Sequence, residues 1–297
     1  MGIIINSTSI IERSENQGSV DLTVQAAKEC IATAGIGMED IGILINLGIY
    51  KEDNIGEPAM AALIQKHLRL NADPVKQSPA EKTTFCFDLL NGSCGFLNAM
   101  QVLEALMKND QIKYALIVSS DVHPSRKQVS GFPYTPYGAA VIVSHSTENK
   151  GFGKLLIKTS ESDGNMGVFG YHDFLKCGTE GRHHVVVEID DDYINRLQEF
   201  TVKTIKEYVE SEKIDLSNVI LISSEPVKDF GRDIANLIGL NEDFVVKIYE
   251  NYGDPHTAAL NIGYHLALKQ DKIKEGDRVL FVGASSGLTS ACGLYLV

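Results

Sequence analysis

The sequence predicts an α/β fold built from two similar halves arranged in layers. Three observations point there. Short β-branched runs alternate with longer helical patterns, a helix-into-strand unit recurs at an offset of 178 residues, and a second such unit recurs further along in the same order. The runs Ile41–Leu47, Tyr114–Ser119, Val219–Ile222 and Val279–Val282 are apolar on both faces, as strands covered by helices on each side must be. In the first repeat, KECIATAGIGMEDIGILIN from Lys28 lies without gaps on KEYVESEKIDLSNVILISS from Lys206. In the second, LMKNDQIKYALIVSSD from Leu106 lies beside LKQDKIKEGDRVLFVGAS from Leu268, with small gaps before the strand. Two consecutive copies of a βαβ-rich unit imply a pseudo-twofold with paired sheets and central helices, an αβαβα layering. The halves divide at residues 1–150 and 151–297. No Pro- or Gly-rich linker separates them near residue 150, so one intimately packed unit is expected.

At 297 residues the chain can bury a sizeable core, and its composition is that of an ordinary soluble globular protein. Lys and Arg total 27 against 39 Asp and Glu, and the formal net charge of −12 repels polyanions, which argues against a nucleic-acid partner. The first residues match neither a secretory signal nor a transit peptide, and no apolar run approaches the roughly 20 residues that span a bilayer. Five cysteines without CxxC spacing fit a reducing compartment better than a disulfide framework, so a cytoplasmic protein is expected. His183–His184 has no second ligand pair at metal-binding spacing, and no Walker loop or GxGxxG follows a strand. Neither a metal nor a dinucleotide is predicted.

The second repeat, extended upstream, sets Ser93–Cys94–Gly95 opposite Pro255–His256–Thr257, and each triplet immediately precedes an apolar helical pattern. Both places would be helix N-termini. A thiol there is acidified by unpaired N–H groups and the positive end of the dipole, as a nucleophilic cysteine requires. Asp254 before Pro255 also makes a sound N-cap with Pro near N1, so a structural role and a catalytic one are both open to it.

The stretch FDLLNGSCGFLNAMQVLEALMKNDQIKYALIVSSD, Phe87 to Asp121, resembles the active-site region of β-ketoacyl-ACP synthase III and its relatives in the thiolase superfamily, where FDLxxxCxGF precedes a helix and an ALIV strand. The likeness covers most of the chain. GILINLGIYKEDNIGEPAMAALIQKHL is similar to the family's second unit, YGDPHTAALNIGYHLAL to its YGNTSAA segment, and DRVLFVGASSGLTSACGLYLV to its closing strand and GxGxGLT turn. The resemblance implies a thiolase-like fold and an acyltransferase or condensing enzyme. Its substrate would be an acyl group on coenzyme A or acyl carrier protein, with no further cofactor. It also implies a dimer formed through the strand after the nucleophile helix, with itself or with a related synthase.

The family's catalytic set is a Cys, a His in an HQAN-like strand end and an Asn in the GNTS turn, and this chain departs at each. Counted from Asp88, the nucleophile position falls on Ser93, and Cys94 lies one residue later. After the strand VILI stand Ser223 and Ser224 in SSEP, the Asn position is Asp254, and a histidine, His256, appears two residues on. No RTGI-like motif follows the first residues, so the part that clamps the nucleotide of coenzyme A is shortened. Two repairs remain open. In the first, the turn formers Asn91–Gly92–Ser93 absorb a one-residue shift, Cys94 is the nucleophile, and His256 supplies the imidazole. In the second, Ser93 is the nucleophile and Asp254 with His256 completes a Ser-His-Asp arrangement. A third reading makes the chain the degenerate partner of an active synthase. The resemblance places oxyanion-hole amides near Cys94 and Ser285. It leaves Ser224 and His123, both just past strand ends, as lining residues of a substrate channel.

Overall fold

The computed structural model describes residues 2–71, 83–108, 112–161 and 167–297. The first half runs β1 (Gly2–Glu12), α1 (Ser19–Ala34), β2 (Ile41–Asn46), α2 (Met60–Leu68), β3 (Phe85–Asp88), α3 (Gly95–Leu106), β4 (Tyr114–Ser119) and β5 (Tyr137–Ser146). The second runs β6 (Gly151–Thr159), β7 (Val168–Tyr171), α4 (Phe174–Cys177), β8 (Val186–Ile189), α5 (Tyr193–Ser211), β9 (Val219–Ser223), α6 (Phe230–Ile238), α7 (Tyr249–Tyr252), α8 (Ala259–Lys269), β10 (Arg278–Ser285) and β11 (Thr289–Leu296). One sheet has the order β1-β5-β4-β2-β3 and the other β6-β11-β10-β9, while β7 and β8 pair as a separate hairpin.

The two sheet orders superpose element by element, and the repeat seen in the sequence is the reason. Helix α1 feeds β2 as α5 feeds β9, and the offset of 178 carries Ile41, the first residue of β2, onto Val219, the first of β9. Helix α3 feeds β4 as α8 feeds β10. A fifth position beside β9 is reduced to a single parallel bridge between Leu221 and Val245.

Successive side chains on a strand point to opposite faces, so the all-apolar strands supply two cores each. In β4, Ala115 and Ile117 join the central layer with α3 and α8, whereas Leu116 and Val118 pack beneath α1 and α2. In β10, Val279 and Phe281 face the same central helices, and Leu280 and Val282 face α5 and α6. The result is five layers, αβαβα. The rings of Phe96 of α3, Phe152 of β6 and Phe281 of β10 pack edge-on or tilted with centroids within 6.0 Å of one another, fixing the start of α3 against the second sheet.

One expectation is corrected. The strand after the nucleophile turn and its helix, β4, is hydrogen-bonded on both sides, to β2 and β5, and presents no edge. Among the described residues the edge belongs to β3, which precedes that turn and pairs with β2 on one side. Phe85 on β3 is 60% exposed, and an exposed apolar edge invites pairing with another strand. Twofold pairing of β3 with its copy, in register Phe85 to Asp88, is the self-complementary arrangement that would cover it. Phe85→Lys is therefore expected to convert a dimer to a monomer in light scattering at micromolar concentration. A wild-type monomer, or a variant that stays dimeric, would remove this edge from the interface.

Candidate active site

Two 3-10 turns meet at the centre of the molecule. Gly92–Cys94 leads into α3, and His256–Ala258 leads into α8. Gly92 has φ +48°, and a Cβ there would run into Ser285 Oγ and sit 3.4 Å from His256 Nε2, so both the backbone angle and the space require glycine. Gly283 on β10 is needed for a different reason: a Cβ would lie 2.9 Å from Cys94 Cα and Ser93 O. The strand and the turn are thus pressed together at the junction of the two halves.

His256 is held in the left-handed region at φ +50°, a conformation that costs a residue with a side chain about 1–3 kcal/mol. Its neighbours compensate. Asp254 Oδ1 accepts from the His256 main-chain N–H at 2.8 Å, and Asp121 Oδ2 accepts from His256 Nδ1 at 2.9 Å. Tyr134 stacks on the ring with centroids 4.0 Å apart and planes 16° apart. Because Nδ1 is committed to Asp121, the lone pair of the neutral imidazole resides on Nε2, which faces the Gly92–Ser93 turn.

Asp121 stands just past the end of β4 and is buried. Its Oδ1 accepts the N–H groups of Ile49 and Tyr50 at 2.8 and 2.9 Å, and its Oδ2 also accepts from the Thr257 hydroxyl at 2.6 Å. Burial by itself would raise its pKa. The charge and hydrogen bond of His256, with the bonds from Thr257 and Tyr50, outweigh burial and hold it below the usual value of 3.8. For His256, burial lowers the pKa, and Asp121 more than reverses that, so the imidazole binds its proton more tightly than an exposed one. Asp254 is pushed up to about 6, chiefly by burial and against the pull of His256.

The predicted residues divide sharply. Ser93, His256, Asp254 and Ser285 all line one inner cavity of about 160 Å³, together with Tyr134, Val168, Ile189, Tyr193 and Val227. Cys94 does not. Its side chain is fully buried in the central core, its Sγ lies 3.5 Å from the Thr289 carbonyl, and burial drives the thiol pKa far above its ordinary value. The expectation of an acidified Cys94 is corrected: the residue opens α3 on the core-facing side, and desolvation of a thiolate there overwhelms any help from the helix end. Its N–H is also occupied, donating to Asn91 O at 3.0 Å, whereas no acceptor for the Ser93 N–H occurs among the described residues.

The expected pairing of Asp254 with the imidazole is corrected as well. Two residues before His256, Asp254 closes a local turn onto the His256 N–H, and the partner of the ring is Asp121. Ser224 Oγ accepts from Ala284 N at 2.9 Å and donates to Ala284 O at 3.3 Å, tying β9 to β10 instead of lining the cavity at Ser93. His123 lies beyond Tyr134, bonded to Ser125 and beside Arg13 and Lys127 in a separate groove. In the resting arrangement the Ser93 hydroxyl donates to the His256 main-chain carbonyl at 3.1 Å, and a change of χ1 rotamer is the movement available to redirect it.

An outer cleft of about 390 Å³ adjoins the inner cavity. It is lined by Tyr50, Lys51, Asn54, Gly170 and His172, and it shares Tyr134, Val168, His256 and Ser286 with the inner one. The β7–β8 hairpin roofs both. Asn54 pins the loop between these strands by donating to the carbonyls of Gly181, Arg182 and His184 at 3.2, 3.0 and 3.0 Å. Among the described residues no cluster of His, Cys, Asp and Glu is placed to hold a metal ion, and no helix is long and apolar enough to cross a membrane.

Comparison with known proteins agrees with this architecture. Residues 206–296 match the family described as 3-oxoacyl-[acyl-carrier-protein (ACP)] synthase III C terminal. The β-ketoacyl-[acyl-carrier-protein] synthase III of Clostridium perfringens is 23% identical over 98% of this chain and 89% of its own length. That of Aliarcobacter butzleri is 25% identical over 98% and 88%. Among solved structures, 3-oxoacyl-[acyl-carrier-protein] synthase III from Aquifex aeolicus superposes over the whole of both chains with a TM-score of 0.80 at 17% identity. A variant of OleA from Xanthomonas campestris superposes over 100% of this chain and 99% of its own with a TM-score of 0.82 at 15% identity.

Proposed function

We propose, from the likeness of this chain to synthase III proteins, an enzyme that moves an acyl group from a coenzyme A or carrier-protein thioester through a covalent ester on Ser93. The observation that carries this reading is the 2.9 Å bond from His256 Nδ1 to the buried Asp121, which leaves Nε2 facing the Ser93 turn inside the inner cavity. Nε2 takes the Ser93 proton as the oxygen attacks the thioester carbonyl. The tetrahedral intermediate collapses, the thiol leaves with that proton, and Asp121 stabilises the imidazolium in between. The Ser93 N–H, which has no acceptor among the described residues, would stabilise the oxyanion, and Ser285 borders the same space. The reading calls for no metal or organic cofactor beyond the thioester itself.

The inner cavity is small beside the 300–1,000 Å³ typical of ligand pockets, and Val168, Ile189, Tyr193 and Val227 make its wall apolar. A short acyl chain fits that description. Mixing the enzyme with an excess of acetyl-, butyryl- or hexanoyl-CoA should release a burst of free thiol equal to the enzyme concentration, followed by slower turnover. No burst with any of the three would favour the alternative reading, a degenerate subunit that pairs with an active synthase.

A further inference from the structure

Two carboxylates, Asp121 and Asp254, flank the single imidazole of the site, and both are buried. The first bonds its ring and the second its main-chain N–H. With both ionised, the group carries a net charge of −2 when His256 is neutral and −1 when it is protonated. Apart from His256, no cationic side chain among the described residues lines the inner cavity, and Lys51 is the one lysine among them on the wall of the outer cleft. At the strand end of β9 the Ser224 hydroxyl is used up on Ala284, and Glu225 accepts the N–H of Tyr249 at 2.5 Å.

Such a field disfavours any acceptor that arrives as an anion or passes through one, since unscreened like charges in a buried site repel strongly. It suits an acceptor that is neutral and gives up a proton, because the Asp121–His256 pair is built to take that proton. The geometry has room for this. The inner cavity holds the acyl group, the outer cleft is open and carries Lys51, Asn54 and His172 on its wall, and His256 lies on the wall common to both.

We infer that the acyl group leaves Ser93 for a neutral hydroxyl or amine acceptor bound in the outer cleft, and not for a carbanion generated by decarboxylation. The inference rests on the acyl-Ser93 reading above and specifies its second half. The acceptor's X–H proton passes to His256 Nε2 as X attacks the ester carbonyl. The tetrahedral intermediate then expels the Ser93 alkoxide, which recovers the proton from His256, leaving an ester or amide and free enzyme. No oxidant or reductant enters the balance.

The test begins with the acyl-enzyme formed from butyryl-CoA and separated from free coenzyme A. Portions are chased with 1-propanol, 1-propylamine or malonyl-CoA, beside a heat-denatured portion. The expected result is propyl ester or propylamide formed at least tenfold faster than in the denatured sample, with malonyl-CoA yielding neither carbon dioxide nor a β-ketoacyl product. Asp254→Asn, which removes one negative charge and keeps an oxygen for the His256 N–H, should gain measurable decarboxylation of malonyl-CoA. Condensation by the wild type at a rate matching alcoholysis overturns the acceptor class alone. So does an Asp254→Asn enzyme as inert to malonyl-CoA as its parent, since the charge argument then fails. Absence of any acyl-enzyme before the chase refutes the Ser93 reading itself, and the acceptor class falls with it.

Discussion

Replacing Ser93 by alanine is expected to abolish the acyl-enzyme and to lower acyl transfer by about 10³–10⁶-fold, whereas Cys94→Ala leaves both within a few-fold of wild type. Ser93 has the cavity, the unpaired N–H and the facing imidazole, and Cys94 has none of these. Removing the sulfur from a fully packed position does cost stability, on the order of 1–2 kcal/mol for so small a side chain. The two variants should therefore separate along different axes. Ser93→Ala loses activity and keeps its melting temperature, and Cys94→Ala melts a few degrees lower and keeps its activity. Intact-mass analysis after incubation with butyryl-CoA, followed by peptide mapping, reads the adduct directly. An adduct that persists in Ser93→Ala and disappears in Cys94→Ala would restore the thiol as nucleophile.

Much of the fold could be seen in the sequence because duplication leaves a long-range signature that composition cannot hide. The gapless match at offset 178 starts both strands at the corresponding residue, Ile41 and Val219. The opposition of Ser93–Cys94 to Pro255–His256 likewise placed two distant turns together. What the sequence left open was a matter of one residue. Ser93 and Cys94 are both small, both precede the same helix, and either could face the cavity. The decision lies in Gly283, whose lack of a side chain lets β10 press on this turn and commits Cys94 to the core. Counting from Asp88 without a gap was the signal that favoured serine. Asp121 carries a weaker signal in the sequence. In SSDVHPS the histidine is the more conspicuous residue, yet the carboxylate just past the C-terminal end of a buried strand that runs parallel to β2 is where α/β sheets place chemistry. Asp254 offered a nearer acid in sequence, and its use in a local turn could not be read without the backbone angle of His256.

Asp121→Asn tests the other half of the mechanism, and the expected loss is about 10³–10⁴-fold in acyl transfer. The asparagine can still accept the N–H groups of Ile49 and Tyr50 through its oxygen, so the loop after β2 should hold. Its amide nitrogen then meets His256 Nδ1, and two donors cannot face each other. The imidazole answers by moving its proton to Nε2, which presents a hydrogen instead of a lone pair to Ser93. The pH dependence should change in a defined direction. In the wild type Asp121 raises the His256 pKa, so activity falls as pH drops through a value above the usual 6.5. Without the carboxylate that limb moves to lower pH even as the plateau falls. Stability follows the same linkage. The depressed Asp121 contributes above its usual 3.8 and loses that contribution as pH falls through its lower folded value. The raised His256 contributes below 6.5 and loses it as pH rises through its higher folded value. The pair therefore stabilises most between pH 3.8 and 6.5, and the gap in melting temperature between wild type and variant should be widest there and narrow at higher pH. An Asp121→Asn enzyme that keeps its rate within threefold and its pH profile unshifted would show that Asp121 only braces the loop.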